Sequence, residues 1–246
     1  MGKVAKLFLL PGMMCDERLF TSQLQALSDL CECVVADFRQ GDSIADYAEQ
    51  VLELVRSIEN EDAQPSLKIL AGLSMGGIVL MECIRLAPEL IDAVVLMDTN
   101  PFAEDSSRRL LRQPQIQRVL DGELETILIE EMKPLYLAPV NRSNETLLSV
   151  VLDMARKLGP DVFAQQSQAL MNRHDNSEAL SSWKKPALIL YGAHDNLCPK
   201  ERHTRMHELM PQSSLVEIAD AGHLPTLEMP TVVNESLRTF VTSLQL

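Results

Sequence analysis

The chain has 246 residues, 46% of them hydrophobic and 23% charged, with a formal net charge of −13, a composition that suits one soluble α/β domain with a sizeable core and room for an insertion. The acidic balance argues against nucleic acid, whose phosphates need clustered Lys and Arg, and against a basic membrane-surface patch. No apolar run approaches the roughly 18 residues of a membrane span, and the apolar stretch near the start stops at Pro11-Gly12, too short for a secretory core; a cytoplasmic protein is expected.

In chain order, the apolar run over residues 4–10 reads as a strand entering a turn at Pro11-Gly12. A second strand is expected over 33–38. Ser43 can cap a helix whose apolar residues Ile44, Tyr47, Val51, Val55 and Ile58 recur at helical spacing. A third strand covers 67–73. Residues 76–87 are apolar nearly all round, a buried helix ended by Pro88. A fourth strand over 93–97 closes at Asp98. Then the alternation breaks: from 101 to 182 only helical patterns occur, with a stripe of Leu147, Val150, Val151, Met154 and Leu158 stopped by Gly159-Pro160. A strand over 186–191, a helix over about 200–210, a last strand over 215–218 and a helix from Pro230 carrying Val233, Leu237, Phe240, Val241 and Leu244 complete the chain.

Alternating strands and helices imply a mostly parallel sheet covered on both faces, with ligands bound beyond the carboxyl ends of its strands. The expected division is a core of residues 1–100 and 183–246, and a helical lid insertion over 101–182 lying above that edge. The five cysteines, Cys15, Cys31, Cys33, Cys83 and Cys198, are odd in number in a large chain and read as reduced, packing thiols. Cys31-Glu32-Cys33 lacks zinc-site spacing, and no metal is expected.

Gly72-Leu73-Ser74-Met75-Gly76 matches Gly-x-Ser-x-Gly. Alone the pattern is weak, but here it lies between a buried strand and a buried helix, the setting of a nucleophile elbow. Side chains two residues to either side of the serine would collide with neighbouring backbone, and glycine removes the collision. Serine needs a base. Of the five histidines, His223 follows the last strand in Ala221-Gly222-His223-Leu224-Pro225, at the edge where Ser74 sits. His203 and His207 have Thr204 where a zinc protease needs Glu and read as surface residues, and His174 lies in a polar stretch. The imidazole needs a carboxylate to fix its tautomer. Asp195, after the preceding strand, is expected, with Asp98 as the rival and His194 a bystander. An oxyanion needs two backbone donors: Met75 N–H, directly after the serine, and Met13 N–H in the turn Leu10-Pro11-Gly12-Met13-Met14. Backbone donors cannot be deleted by a side-chain change, and a Gly12 substitution that bends the turn is the nearest test.

The elbow, the segment Leu188-Ile189-Leu190-Tyr191-Gly192-Ala193-His194-Asp195 and the segment around His223 together resemble the α/β-hydrolase superfamily over almost the whole chain. Leu9-Leu10-Pro11-Gly12-Met13-Met14-Cys15-Asp16 resembles a bacterial subgroup of small hydrolases of mostly unassigned substrate. Pro11 stands where many members have His, and the first strand corresponds to what is usually the third. The resemblance implies an α/β-hydrolase fold with a mostly parallel six-stranded sheet, helices on both faces and an inserted helical lid. It implies a serine esterase that cleaves a carboxylic ester of a small, largely apolar molecule through an acyl-enzyme, with no cofactor. A carbon–carbon bond hydrolase or lyase, a perhydrolase, and a non-catalytic ligand-binding module are the alternatives on the same scaffold. Serine at the elbow argues against the dehalogenases and epoxide hydrolases of this fold. Met14, Met132, Tyr136, Met154 and Leu224 are the expected substrate-binding residues, with Leu135, Leu147, Val151 and Phe163 as further wall candidates. Arg108, Arg109, Arg112 and Arg118 fall on one helix of the insertion and read as a solvated face. The alternative is a receiver for a substrate carboxylate or for an acidic carrier protein, as in the resembling pimeloyl-carrier methyl esterases.

Overall fold

The computed structural model describes residues 5–61 and 66–245, the side chains of 58–61 excepted. Val4 and the Ile58 side chain, each part of an expected element, lie outside the described residues.

Six strands form one parallel sheet in the order β2-β1-β3-β4-β5-β6: β1 Ala5–Leu10, β2 Cys31–Val35, β3 Leu67–Leu73, β4 Ala93–Met97, β5 Ala187–Gly192 and β6 Ser214–Ile218. The inner strands β3, β4 and β5 are nearly continuous apolar runs because both of their faces are covered, whereas the edge strands β2 and β6 carry the exposed Glu32 and Glu217. Phe8, Leu10, Leu70, Val94 and Leu96 point into the core shared with helices α2 (Ile44–Glu61) and α3 (Met75–Leu86). The alternate residues Leu7, Leu9, Ile69, Val95 and Leu190 pack on the other face against Leu27 of α1 (Thr21–Leu27) and against Val233, Leu237 and Val241 of the helix Pro230–Leu244. Strand order reverses between β1 and β3, so a crevice opens beyond their carboxyl ends. The register Leu10↔Gly72, Leu73↔Met97 and Gly192↔Ile218 brings the turns after β1, β3, β4, β5 and β6 to that one edge.

Two differences from the sequence reading have local causes. The second strand lies over Cys31–Val35 rather than 33–38: after Ala36 N–H bonds Leu9 O, the chain turns inward so that Phe38 packs on Tyr47. The 3₁₀ turn Glu17–Phe20 and α1 were not anticipated. α1 is short and buries only Gln23 and Leu27 within its span, too few residues to make a stripe.

Between β4 and β5 the chain is helical, as expected. α4 spans Ser106–Arg118. Residues 119–136 wind through short irregular helical turns broken at Gly122, whose φ is +100°. The stretch Glu145–Met171 does break at Gly159, where φ is +84°, but it resumes at once through Pro160 rather than stopping. This helical segment arches over the carboxyl edge of the sheet, where it walls a half-open cavity of about 280 Å³ above Ser74.

Candidate active site

Ser74 closes β3 and opens α3 with φ +54° and ψ −113°. No side chain favours this conformation, so it persists only where the surroundings hold it. Ser74 N–H donates to Met97 O (2.9 Å), and Thr99 Oγ1 donates to Ser74 O (2.8 Å). The glycines two residues away are required by contact. A Cβ at Gly72 would lie 2.4 Å from the backbone of Gly76, and one at Gly76 would lie 2.0 Å from Leu10 O. The elbow is thus wedged against the end of β1, and Ser74 is partly exposed in the cavity while Met75 is buried.

His223 is carried by the loop after β6. Its Nε2 lies 2.8 Å from Ser74 Oγ and its Nδ1 2.7 Å from Asp195 Oδ2. Asp195 Oδ1 accepts Leu197 N–H (2.8 Å) and Cys198 N–H (3.0 Å). Burial works to raise the Asp195 carboxyl, but attraction to His223 and these hydrogen bonds outweigh it and hold Asp195 below the usual carboxylate value. Of the two acids weighed, Asp195 is therefore the one bonded to His223. Asp98 lies beside it, fully buried with φ +44°; its Oδ1 accepts Gly192 N–H at 2.8 Å. Its Oδ2 has no partner among the described residues. Burial first, and repulsion from Asp195 second, push the Asp98 carboxyl well above its ordinary value.

His203 is not the surface residue expected from the sequence. It is fully buried and stacks on Tyr191 with centroids 4.7 Å apart; its Nε2 accepts Thr99 N–H at 3.2 Å. Burial lowers it to about 4. His194 and His174 are exposed, as expected. Two groupings of buried donors, Asp195–Cys198–His223 and Asp98–Asp195–His203, would be the places to hold a metal. Both depend on Asp195, whose oxygens already accept three hydrogen bonds.

The turn after β1 is closed by Cys15 N–H to Gly12 O (3.1 Å), with Met14 at φ +58°. Its strain sits at Met14 and not at Gly12, where a Cβ would make only ordinary contacts at 3.4–3.5 Å, so alanine at Gly12 would not bend the turn. Among the described residues, neither Met13 N–H nor Met75 N–H donates to a protein acceptor. Met14 N–H, by contrast, is taken by Gln166 Oε1 (2.8 Å), and Gln166 Nε2 donates to Phe38 O (3.0 Å). Gln166, buried on the long inserted helix, thereby pins the turn. A lone Gln in a helical stretch carries no sequence signal for that role.

The expected wall residues divide. Met132, Leu135, Tyr136 and Phe163 line the cavity together with Met13. Tyr136 also stacks on His223 (5.5 Å), and its carbonyl accepts His223 N–H at 2.7 Å. Met14, Met154 and Leu224 do not line it: all three are buried in the cores on either face of the sheet. Leu147 and Val151 are also absent from the wall, and Val151 packs with Met154 against the core. Glu228, unforeseen, ties the histidine loop to the insertion. Its Oε1 accepts Gly222 N–H (2.8 Å), and its Oε2 accepts Ala138 N–H (2.8 Å) and Asn141 Nδ2 (2.9 Å). No helix among the described residues is long and apolar enough to cross a membrane.

Comparison with known proteins agrees with this architecture. The family model described as Alpha/beta hydrolase family matches residues 7–236. Among protein sequences, the chain is 27% identical over 207 residues to a pimeloyl-[acyl-carrier protein] methyl ester esterase of Photobacterium profundum, covering 81% of this chain and 78% of the relative. It is 25% identical over 185 residues to the uncharacterized hydrolase YugF of Bacillus subtilis, covering 74% and 67%. Among solved structures, a thermophilic esterase from Thermogutta terrifontis superposes with a TM-score of 0.91 at 24% identity, over 100% of this chain and 92% of that one.

Proposed function

The chain belongs to the alpha/beta hydrolase family, and from that premise we propose that it is a serine esterase acting on small carboxylic esters through an acyl-enzyme. The observation that carries this reading is the unbroken line Ser74 Oγ–His223–Asp195, with contacts of 2.8 and 2.7 Å, opening into a cavity beside two uncommitted backbone N–H groups. Asp195 accepts Nδ1–H and so leaves Nε2 free to take the Ser74 proton. Ser74 Oγ attacks the ester carbonyl, and its oxygen becomes an oxyanion held by Met13 and Met75 N–H. The tetrahedral species collapses, His223 passes the proton to the departing alkoxide, and the alcohol leaves. Water, deprotonated by the same imidazole, then attacks the acyl-enzyme and releases the acid with Ser74 restored. Tyr136 stacked on His223, and Glu228 bonded to its loop, hold the ring in place.

The test is hydrolysis of p-nitrophenyl esters of two to twelve carbons by the protein and by Ser74→Ala. A cavity of about 280 Å³, at the small end of ligand sites, predicts a preference for the short members. Loss of activity in Ser74→Ala supports the reading. Activity that persists there, or absence of both turnover and fluorophosphonate labelling at Ser74, refutes it.

A further inference from the structure

The wall of the cavity above Ser74 carries an uneven charge. Three guanidiniums line it, Arg108, Arg112 and Arg173, in a chain whose net charge is −13. One carboxylate, Glu104, is set between two of them. Its Oε2 receives Arg173 at 2.7 Å and Arg112 at 3.1 Å, and its Oε1 is buried without a partner among the described residues. The second acid of the wall, Glu131, is already engaged by Arg118 and Gln115. Arg108, one turn before Arg112 on α4, makes no side-chain ion pair or hydrogen bond among the described residues. The four arginines of α4 are therefore not one solvated face: Arg112 is largely buried, against Glu104 and against Met13 Sδ at 3.7 Å.

A structural tie between α4 and the end of the long inserted helix would explain Arg112–Glu104–Arg173. It would not explain a third guanidinium facing the same space, which adds to the repulsion. Burial, and the like charges of Arg112 and Arg108, already draw Arg173 below the usual guanidinium value. Like charges gathered on one wall of a half-open cavity, with too few counter-charges, favour an incoming anion. The planar fork of guanidinium fits a carboxylate with two parallel hydrogen bonds, and Glu104 displays that preference within the cluster.

We infer that Arg108, with Arg112 and Arg173 behind it, forms an anion subsite that recognises a carboxylate on the substrate. This rests on the reading of Ser74 as the nucleophile and narrows it. Because the cavity is small and its wall includes both Ser74 and the arginines, ester and carboxylate belong to one small molecule. The substrate class is the half-ester of a short dicarboxylic acid. Arg112 on Met13 places the subsite next to the turn that supplies an oxyanion donor.

The test uses a matched pair, monomethyl glutarate and methyl pentanoate, which differ by a carboxylate in place of a terminal methyl. Calorimetric titration into Ser74→Ala protein is expected to show the half-ester binding at least about tenfold tighter than the neutral ester. Arg108→Gln in that background should remove most of the difference, and Arg108→Lys should restore part of it. With Ser74 intact, the ratio of kcat/KM for the half-ester over the neutral ester should fall about tenfold in Arg108→Gln. Equal binding of the two esters, or a preference that survives Arg108→Gln, overturns the subsite. Selective binding with no turnover of either ester would sink the esterase reading and leave the subsite standing; turnover without selectivity would do the reverse.

Discussion

Asp195→Asn probes the geometry around His223 with little change in shape. Asp195 Oδ1 accepts two backbone N–H groups, from Leu197 and Cys198. In the variant those two donors fix the amide oxygen at that position. The amide NH₂ must then face His223 Nδ1, 2.7 Å away in the native protein. Two donors cannot meet there, so Nδ1 becomes the acceptor and the ring proton moves to Nε2. Nε2–H then donates to Ser74 Oγ and cannot take its proton. The wrong tautomer costs about 10⁴ in turnover where the same change has been made in another Ser-His-Asp enzyme, which corresponds to about 5 kcal/mol of barrier. The assay is kcat/KM on p-nitrophenyl acetate, with thermal unfolding as a control for an intact fold. Retention of more than about a tenth of the native activity, far above that expected loss, would refute the assignment. Asp98, buried one strand away with an unpartnered oxygen, would then be the acid, and Asp98→Asn alone would carry the loss.

Three further predictions test the surroundings. Gly76→Ala puts a methyl 2.0 Å from Leu10 O; the helix must withdraw from β1, costing about 1–3 kcal/mol of stability. Misaligning Met75 against Met13 should also lower kcat by about 10²–10³, and near-native activity would contradict the wedge. Gln166→Leu strands Met14 N–H and Phe38 O, which costs about 1–3 kcal/mol, and should lower kcat more than it raises KM; an unchanged kcat would show that the turn does not need this brace. His203, at about 4 in the folded chain and about 6.5 unfolded, stays neutral while the unfolded chain takes up a proton. Its stabilisation is therefore present above pH 6.5 and lost as pH falls toward 4, on the order of 3 kcal/mol in all. Asp98, raised by burial and by Asp195, has the opposite sign as pH rises above the ordinary carboxylate value, and Asp195, lowered, acts below that value. The measurement is the urea-unfolding difference between native protein and His203→Gln, which should shrink as pH falls from 7 to 4; a constant difference would refute it.

The fold and the Ser74–Asp195–His223 line were legible because each rests on a local pattern. Parallel strands buried on both faces read as apolar runs, and an elbow cannot be built without glycine where Gly72 and Gly76 meet backbone. Chain order alone then put Asp195 and His223 after adjacent strands. What was not legible depends on contacts far apart in sequence. Gln166 reaches Met14 across 152 residues, and Glu228 reaches Ala138 across 90. Met154 lies before the break at Gly159 and Phe163 after it; Met154 packs in the core and Phe163 lines the cavity, a division that helical spacing cannot carry across the break. His203 misled because its helix looks polar: burial comes from Tyr191 on a neighbouring strand, which no spacing within the helix records.

Acylation of Ser74 is read directly by rapid acid quenching of the protein during turnover of p-nitrophenyl acetate, followed by peptide mass analysis. An acetyl group is expected on the peptide containing Ser74, formed with a burst of nitrophenol near one equivalent and absent from Ser74→Ala. Steady turnover with Ser74 unmodified, or an acetyl group on another residue that persists in Ser74→Ala, would contradict it.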